Sequence, residues 1–196
     1  MEANAVPQWK ADLRRSLLAK RLAIADAERT AWNAAITDHL IQGFPQLAAM
    51  TVGIYWPYQG EFDPRPAMRH FRKLGATSAL PEVVQKGAPL RFRKWWPGAA
   101  MTKGVYDIAV PQGTDAVQPQ ALIIPPVGFD ADGFRLGYGG GFYDRTLATL
   151  RPRPLTIGVA YELSRVPTIH PQGFDLALDF VVTERGIFPT YTPSAT

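Results

Sequence analysis

The chain begins with an apolar repeat of helical spacing. Trp9, Leu13 and Leu17 recur every four residues, and Leu18 and Leu22 widen the stripe. That period predicts an amphipathic helix over 8–24, with Pro7 in its first turn, where a missing N–H costs nothing. Lys10, Arg14 and Arg21 fall beside the stripe and share another face. A second helix is predicted over 26–42, opening at Asp26 and closing near Gly43 and Pro45. The pattern then shortens. Unbroken apolar runs at 51–56 (TVGIYW), 121–124 (ALII), 155–160 (LTIGVA) and 180–182 (FVV) read as buried strands. Further strands are expected at 77–80 and 89–93, and helices over 64–74 and 141–150. Residues 96–119 hold several Pro and Gly without a period and read as loop, and the tail from Pro189 reads as frayed. Short strands alternating with helices argue for an α/β fold with a mainly parallel sheet. Ligands of such sheets bind beyond the carboxyl ends of the strands, so a site is expected after Trp56, Ile124 and Ala160.

Composition narrows the picture. With 196 residues, 46% of them hydrophobic, the chain suits one domain with a sizeable core. Lys and Arg number 21 against 17 Asp and Glu, a net charge of +4. That mild excess suits an anionic small molecule, and no dense basic run marks a nucleic-acid arm. There is no cysteine, which excludes disulfides, thiolate zinc sites and a Cys nucleophile and fits a cytoplasmic protein. Neither a secretory leader nor an apolar span of roughly 20 residues is present, so no membrane partner is expected. His39, His70 and His170 are isolated, without metal-ligand spacing.

The most informative segment is PPVGFDADGFRLGYGGGFYDR, from Pro125 to Arg145, between a predicted strand and a predicted helix. Gly137, Gly139, Gly140 and Gly141 let the backbone approach a ligand closely. Their N–H groups, backed by a helix N-terminus, can hold phosphate oxygens. Arg135 and Arg145 can add charge-assisted contacts, and Asp144 can hold a magnesium ion. A plain glycine turn is the competing reading. The segment is neither a Walker loop, lacking Gly-Lys-Ser/Thr, nor the dinucleotide fingerprint, since Phe142 replaces the last Gly. Lys10 and Arg14, four apart on a helix, present two cations to one side, for a phosphate or for solvent. In YWPYQGE (55–61), aromatics can stack on a flat heterocycle and Glu61 can accept hydrogen bonds from pterin-type N–H groups; core packing and helix capping are the alternatives. Asp175 and Asp179 could join Asp144 at a metal or flank a turn, and Trp95 and Trp96 could line a pocket or cover the core.

From Arg135 to Arg145, RLGYGGGFYDR resembles the signature of the 5-formyltetrahydrofolate cyclo-ligase family, Arg-Leu-Gly-x-Gly-x-Gly-aromatic-aromatic-Asp-Arg. YWPYQGEFD, ALPEVV, PLRFRKW, IGVAYELSRVP and FDLALDFVVTE follow the family's order, so the likeness covers roughly residues 8–185. The resemblance implies a three-layer α/β sandwich and a monomer acting on small molecules. It implies ATP and Mg²⁺ converting 5-formyltetrahydrofolate to 5,10-methenyltetrahydrofolate through a phosphorylated formyl group. By matching position, it implies ATP contacts from Lys10, Arg14 and the whole run Arg135, Leu136, Gly137, Tyr138, Gly139, Gly140, Gly141, Phe142, Tyr143, Asp144 and Arg145. Arg135 and Arg145 would be the catalytic cations. Asp144 and Asp175 would hold magnesium, and Glu61, Tyr55, Trp95 and Tyr138 would bind the folate. The chain departs from the family at Pro64, commonly Thr, and at Phe174, commonly His. An ATP-using relative with another substrate and a non-catalytic nucleotide- or folate-binding protein are the competing readings.

Overall fold

Each residue of the central strand β7 (Ala121–Ile124) is buried. Ala121 and Ile123 belong to one apolar cluster, Leu122 and Ile124 to the other. Alternation along the strand thus feeds a core on both faces of the sheet, which is why its sequence reads as an unbroken apolar run. The computed structural model describes residues 5–190.

Five strands run parallel: β1 (Thr51–Gly53), β2 (Thr77–Glu82), β7, β10 (Leu155–Val159) and β11 (Phe180–Thr183). Antiparallel β12 (Gly186–Pro189) closes one edge, and β3 (Arg91–Trp95) with β6 (Ala116–Val117) extends the other. The eight-stranded order is β12-β11-β10-β7-β1-β2-β3-β6. On one face, Ile36 and Leu40 of α2 (Asp26–Gly43) pack with Ala67, Met68 and Phe71 of α3 (Arg65–Lys73). On the other, Leu147 of α4 (Phe142–Thr149) packs with Phe129 and Leu178. These are the three layers, and the mainly parallel sheet agrees with the α/β reading. α1 (Ala5–Leu22) lays Leu17 against Gly128, where a Cβ would fall 2.6 Å from the leucine δ-carbon.

Three readings change. Residues 96–119 are not plain loop: β4 (Met101–Lys103) pairs with β5 (Ala109–Pro111), and β6 joins the main sheet. The stretch before the glycines forms a small ribbon of β8 (Gly128–Phe129) and β9 (Arg135–Leu136). The expected fraying from Pro189 is corrected at Pro189 itself, which pairs with Phe180; residues 191–196 lie outside the described residues. Two- and three-residue strands are too short to carry a period.

Candidate active site

Two segments leave the carboxyl ends of neighbouring parallel strands and meet. The first follows β1 and turns at 58–61. Arg29 of α2 fixes the turn by donating to the carbonyls of Gly60, Arg21 and Ile24. Within it Glu61 is buried, 8% exposed, and accepts from the Tyr58 N–H at 2.9 Å. The second follows β7, passes through the β8–β9 ribbon and reaches the glycines at 137–141. Tyr138, in the glycine loop, donates its hydroxyl to Glu61 Oε1 at 2.8 Å and accepts from Arg21 Nη2 at 2.6 Å. Arg21 also donates to the Gln59 carbonyl and stands 4.0 Å from Glu61. The segment after β10 plays a different part: Val166 N–H donates to the Phe129 carbonyl and so supports the ribbon from behind.

Burial raises the Glu61 pKa to about 7; hydrogen bonds from Tyr138 and the Tyr58 N–H and the charge of Arg21 counter it only in part. The phenols of Tyr138 and Tyr143 are pushed up by burial and by the charge of Glu61. Glu61 is therefore a carboxyl that titrates near neutrality, held beside an open glycine loop.

The loop is built as a cradle. Gly141 has φ +63°, left-handed backbone that favours glycine, and it caps the N-terminus of α4. A Cβ at Gly137 would meet nothing within 4 Å. Three arginines surround the loop. Arg14 Nε donates to the Gly137 carbonyl at 2.7 Å, and burial lowers its pKa. Arg145 donates to the Gly140 carbonyl and covers the Phe142 ring, while its Nε is buried without a partner. Arg135 is turned inward: it donates to the Leu176 carbonyl at 2.5 Å and to Asp144 Oδ1 at 2.7 Å. Leu136 is buried, and Tyr143 packs on the α4-side core.

The acidic residues separate into two kinds. Asp144 Oδ1 also accepts from Leu176 N–H, which puts Asp144 beside the Asp175 backbone. Asp175 Oδ2 accepts from Lys10 Nζ at 3.3 Å and from Gln172 N–H. Each carboxylate keeps one oxygen with no protein partner among the described residues. Magnesium binds through one or two carboxylates plus phosphate oxygens and water. Asp144 and Asp175 fit that demand, though no cluster of three His, Cys, Asp or Glu exists among the described residues. Asp179 instead accepts from Thr156 N–H and Oγ1, both at 2.7 Å, and ties β10 to β11.

Of the other expected site residues, Tyr55 lies in the core with its hydroxyl donated to the Phe62 carbonyl. Trp95 is buried edge-on against Trp56. Pro64 precedes α3 as its cap, and Phe174 is exposed beside Asp175. Sequence reasoning did not single out Arg21 or Arg29. The signal for Arg21 was its shared helical face with Lys10 and Arg14, and all three point into this site.

Residues 6–184 match the pattern of the 5-formyltetrahydrofolate cyclo-ligase family. The 5-formyltetrahydrofolate cyclo-ligase of Escherichia coli strain K12 is 32% identical over 146 residues, covering 71% of this chain and 80% of that protein. The Mycoplasma pneumoniae 5-formyltetrahydrofolate cyclo-ligase is 26% identical over 176 residues, covering 88% and 96%. The NMR structure of Aquifex aeolicus 5,10-methenyltetrahydrofolate synthetase superposes with a TM-score of 0.80 at 26% identity, covering 95% of each chain. No helix among the described residues is long and apolar enough to cross a membrane.

Proposed function

Since the chain belongs to the 5-formyltetrahydrofolate cyclo-ligase family, we propose that its glycine loop and Glu61 bring ATP and 5-formyltetrahydrofolate together for that family's reaction. The reaction is the ATP-dependent closure of 5-formyltetrahydrofolate to 5,10-methenyltetrahydrofolate, with release of ADP and phosphate. The single observation that best supports this reading is the Tyr138–Glu61 hydrogen bond, which joins the glycine loop to a buried carboxyl.

In this reading the backbone N–H groups of 137–141 and the guanidinium groups of Arg14 and Arg145 hold the triphosphate. The unpartnered Arg145 Nε favours an anion there. Ionised Glu61 accepts the pterin N–H donors and fixes the ring. The formyl oxygen attacks the γ-phosphorus, the bond to the bridging oxygen breaks, and ADP leaves. N10 then attacks the activated formyl carbon and loses its proton, and the C–O bond breaks to release phosphate. No protein nucleophile takes part, in keeping with a chain that lacks cysteine. Positioning and cationic charge supply the catalysis. Arg135 acts by holding Asp144 rather than by free reach towards solvent. Asp144 and Asp175 would hold magnesium, which when bound neutralises charge on the transferring phosphoryl group.

The test is direct. Purified protein mixed with 5-formyltetrahydrofolate and Mg·ATP should give the ultraviolet absorbance of the methenyl product, dependent on ATP. Nucleotide binding without product would overturn the reading.

A further inference from the structure

Glu61 is covered. Its side chain is 4% exposed, the Tyr138 hydroxyl donates to Oε1 and the Tyr58 N–H donates to Oε2. A ligand N–H must come within about 3 Å of those oxygens to donate to them, so a covering group has to move. Arg21 is 3% exposed and tied to the Gln59 carbonyl. The Tyr58 N–H belongs to the turn that Arg29 fixes through the Gly60 carbonyl. Tyr138 is different. It is 45% exposed and belongs to neither apolar cluster, and its ring rests on that of exposed Tyr58, with centroids 6.1 Å apart. It stands between Gly137 and Gly139, the latter at φ +96°, where backbone can swing. It also fills a position that the signature Arg-Leu-Gly-x-Gly-x-Gly leaves open, so the motif does not demand its bond to Glu61. The loop is tied down on both sides of it. Arg14 Nε donates to the Gly137 carbonyl, and Arg145 Nη2 donates to the Gly140 carbonyl.

We propose that Tyr138 is a positioning residue, a lid on Glu61 whose release by either substrate readies the site for the other. The inference rests on the function proposed above and deepens it. A triphosphate on the loop draws Arg14 and Arg145 to its oxygens and slackens their hold on the carbonyls that flank Tyr138. The tyrosine then lifts from Glu61 more easily, and the pterin enters. In the reverse order, a pterin on Glu61 displaces the tyrosine hydroxyl and frees the loop on which the phosphates settle. Both ligands favour the same lifted state, so each tightens the other by the same factor. A tyrosine that served only as a pocket wall would add to the binding of one ligand and leave the other alone.

The experiment compares the wild type with Tyr138→Phe, which keeps the ring on an exposed loop and deletes only the hydroxyl that holds Glu61. Calorimetric titration gives the Kd of 5-formyltetrahydrofolate with and without the magnesium complex of a non-hydrolysable ATP analogue, and the Kd of that analogue with and without folate. In the wild type each ligand should lower the Kd of the other by about fivefold or more. In the variant that factor should fall to about one, because folate alone should bind it more tightly than it binds the wild type. A wild-type factor of about one would overturn the coupling, as would a variant that keeps the wild-type factor. Weaker binding of folate alone to the variant would make Tyr138 a substrate contact and would overturn the lid. A wild type that binds no folate, with or without nucleotide, would instead overturn the function proposed above, and the lid with it.

Discussion

Among the site's carboxyls, Glu61 is the one that burial moves towards neutrality. An exposed glutamate releases its proton near 4.5, whereas burial holds the Glu61 proton to about pH 7. Between those values the folded chain binds more protons than the unfolded one, so folding stability falls as pH rises through that window. A shift of this size corresponds to a loss on the order of 3 kcal/mol at most by pH 8, because each pKa unit is worth about 1.4 kcal/mol. Folate binding should run the other way. Only the ionised carboxylate can accept all the pterin donors, so the KM for folate should rise as pH drops below about 7. Glu61→Gln should flatten the decline of Tm between pH 5 and 8 and remove the pH dependence of the folate KM. Thermal melts and steady-state kinetics across that range check both. A variant whose melting profile still parallels the wild type would show that another group is responsible. Sequence marked Glu61 through its place after a predicted strand. It did not mark Arg21 as a buried cation, because a helical face of Lys and Arg looks the same whether water or a carboxyl lies opposite.

At the scale of the element, the glycine loop can be tested by the space around its Cα atoms. Gly141 is left-handed, and a Cβ there would lie 2.7 Å from Arg145 Nη1. Gly141→Ala should therefore cost about 1 kcal/mol of stability and displace a cradle cation. Gly137 is different: nothing lies within 4 Å of an added Cβ, and its backbone is not left-handed. Gly137→Ala should leave Tm unchanged and still raise the KM for ATP by about tenfold, since a methyl group there holds a phosphate off the loop. Equal ATP kinetics in Gly137→Ala and the wild type would remove the loop from nucleotide binding. Elements of this kind differ in how far sequence exposes them. The parallel strands, α1, α2 and α4 were legible because burial on both faces or on one stripe leaves a period. β4, β5, β6 and the β8–β9 ribbon were not, since each has only two or three residues and is set by its pairing, local for β4–β5 and β8–β9 and with β3 for β6. The glycine signature located the loop, but not the inward turn of Arg135, which depends on where the Leu176 carbonyl falls.

For the whole molecule, α1 is the element that joins the two halves of the site. Along one helix Lys10 pairs with Asp175, Arg14 binds the Gly137 carbonyl, and Arg21 holds Tyr138 and the Gln59 carbonyl. These contacts reach the loop before β11, the glycine loop after β9 and the turn after β1. Leu17, 3% exposed and seated on Gly128, fixes the helix at the height that lets all three form. Stability and catalysis should therefore separate by location. Leu17→Ala removes buried methyls from α1, and Leu40→Ala removes them from the last turn of α2, at the end of that helix away from Arg29. Each should cost about 2–5 kcal/mol. Only Leu17→Ala should raise the KM for both ATP and folate, because loosening α1 slackens contacts to both. Denaturant titration gives the stability of each variant, and kinetics well below the unfolding midpoint give the rest. If Leu40→Ala raised both KM values as much as Leu17→Ala, the effect would belong to general softening of the fold and α1 would lose its special place. If Leu17→Ala raised one KM alone, α1 would serve a single substrate rather than hold the two sites in register.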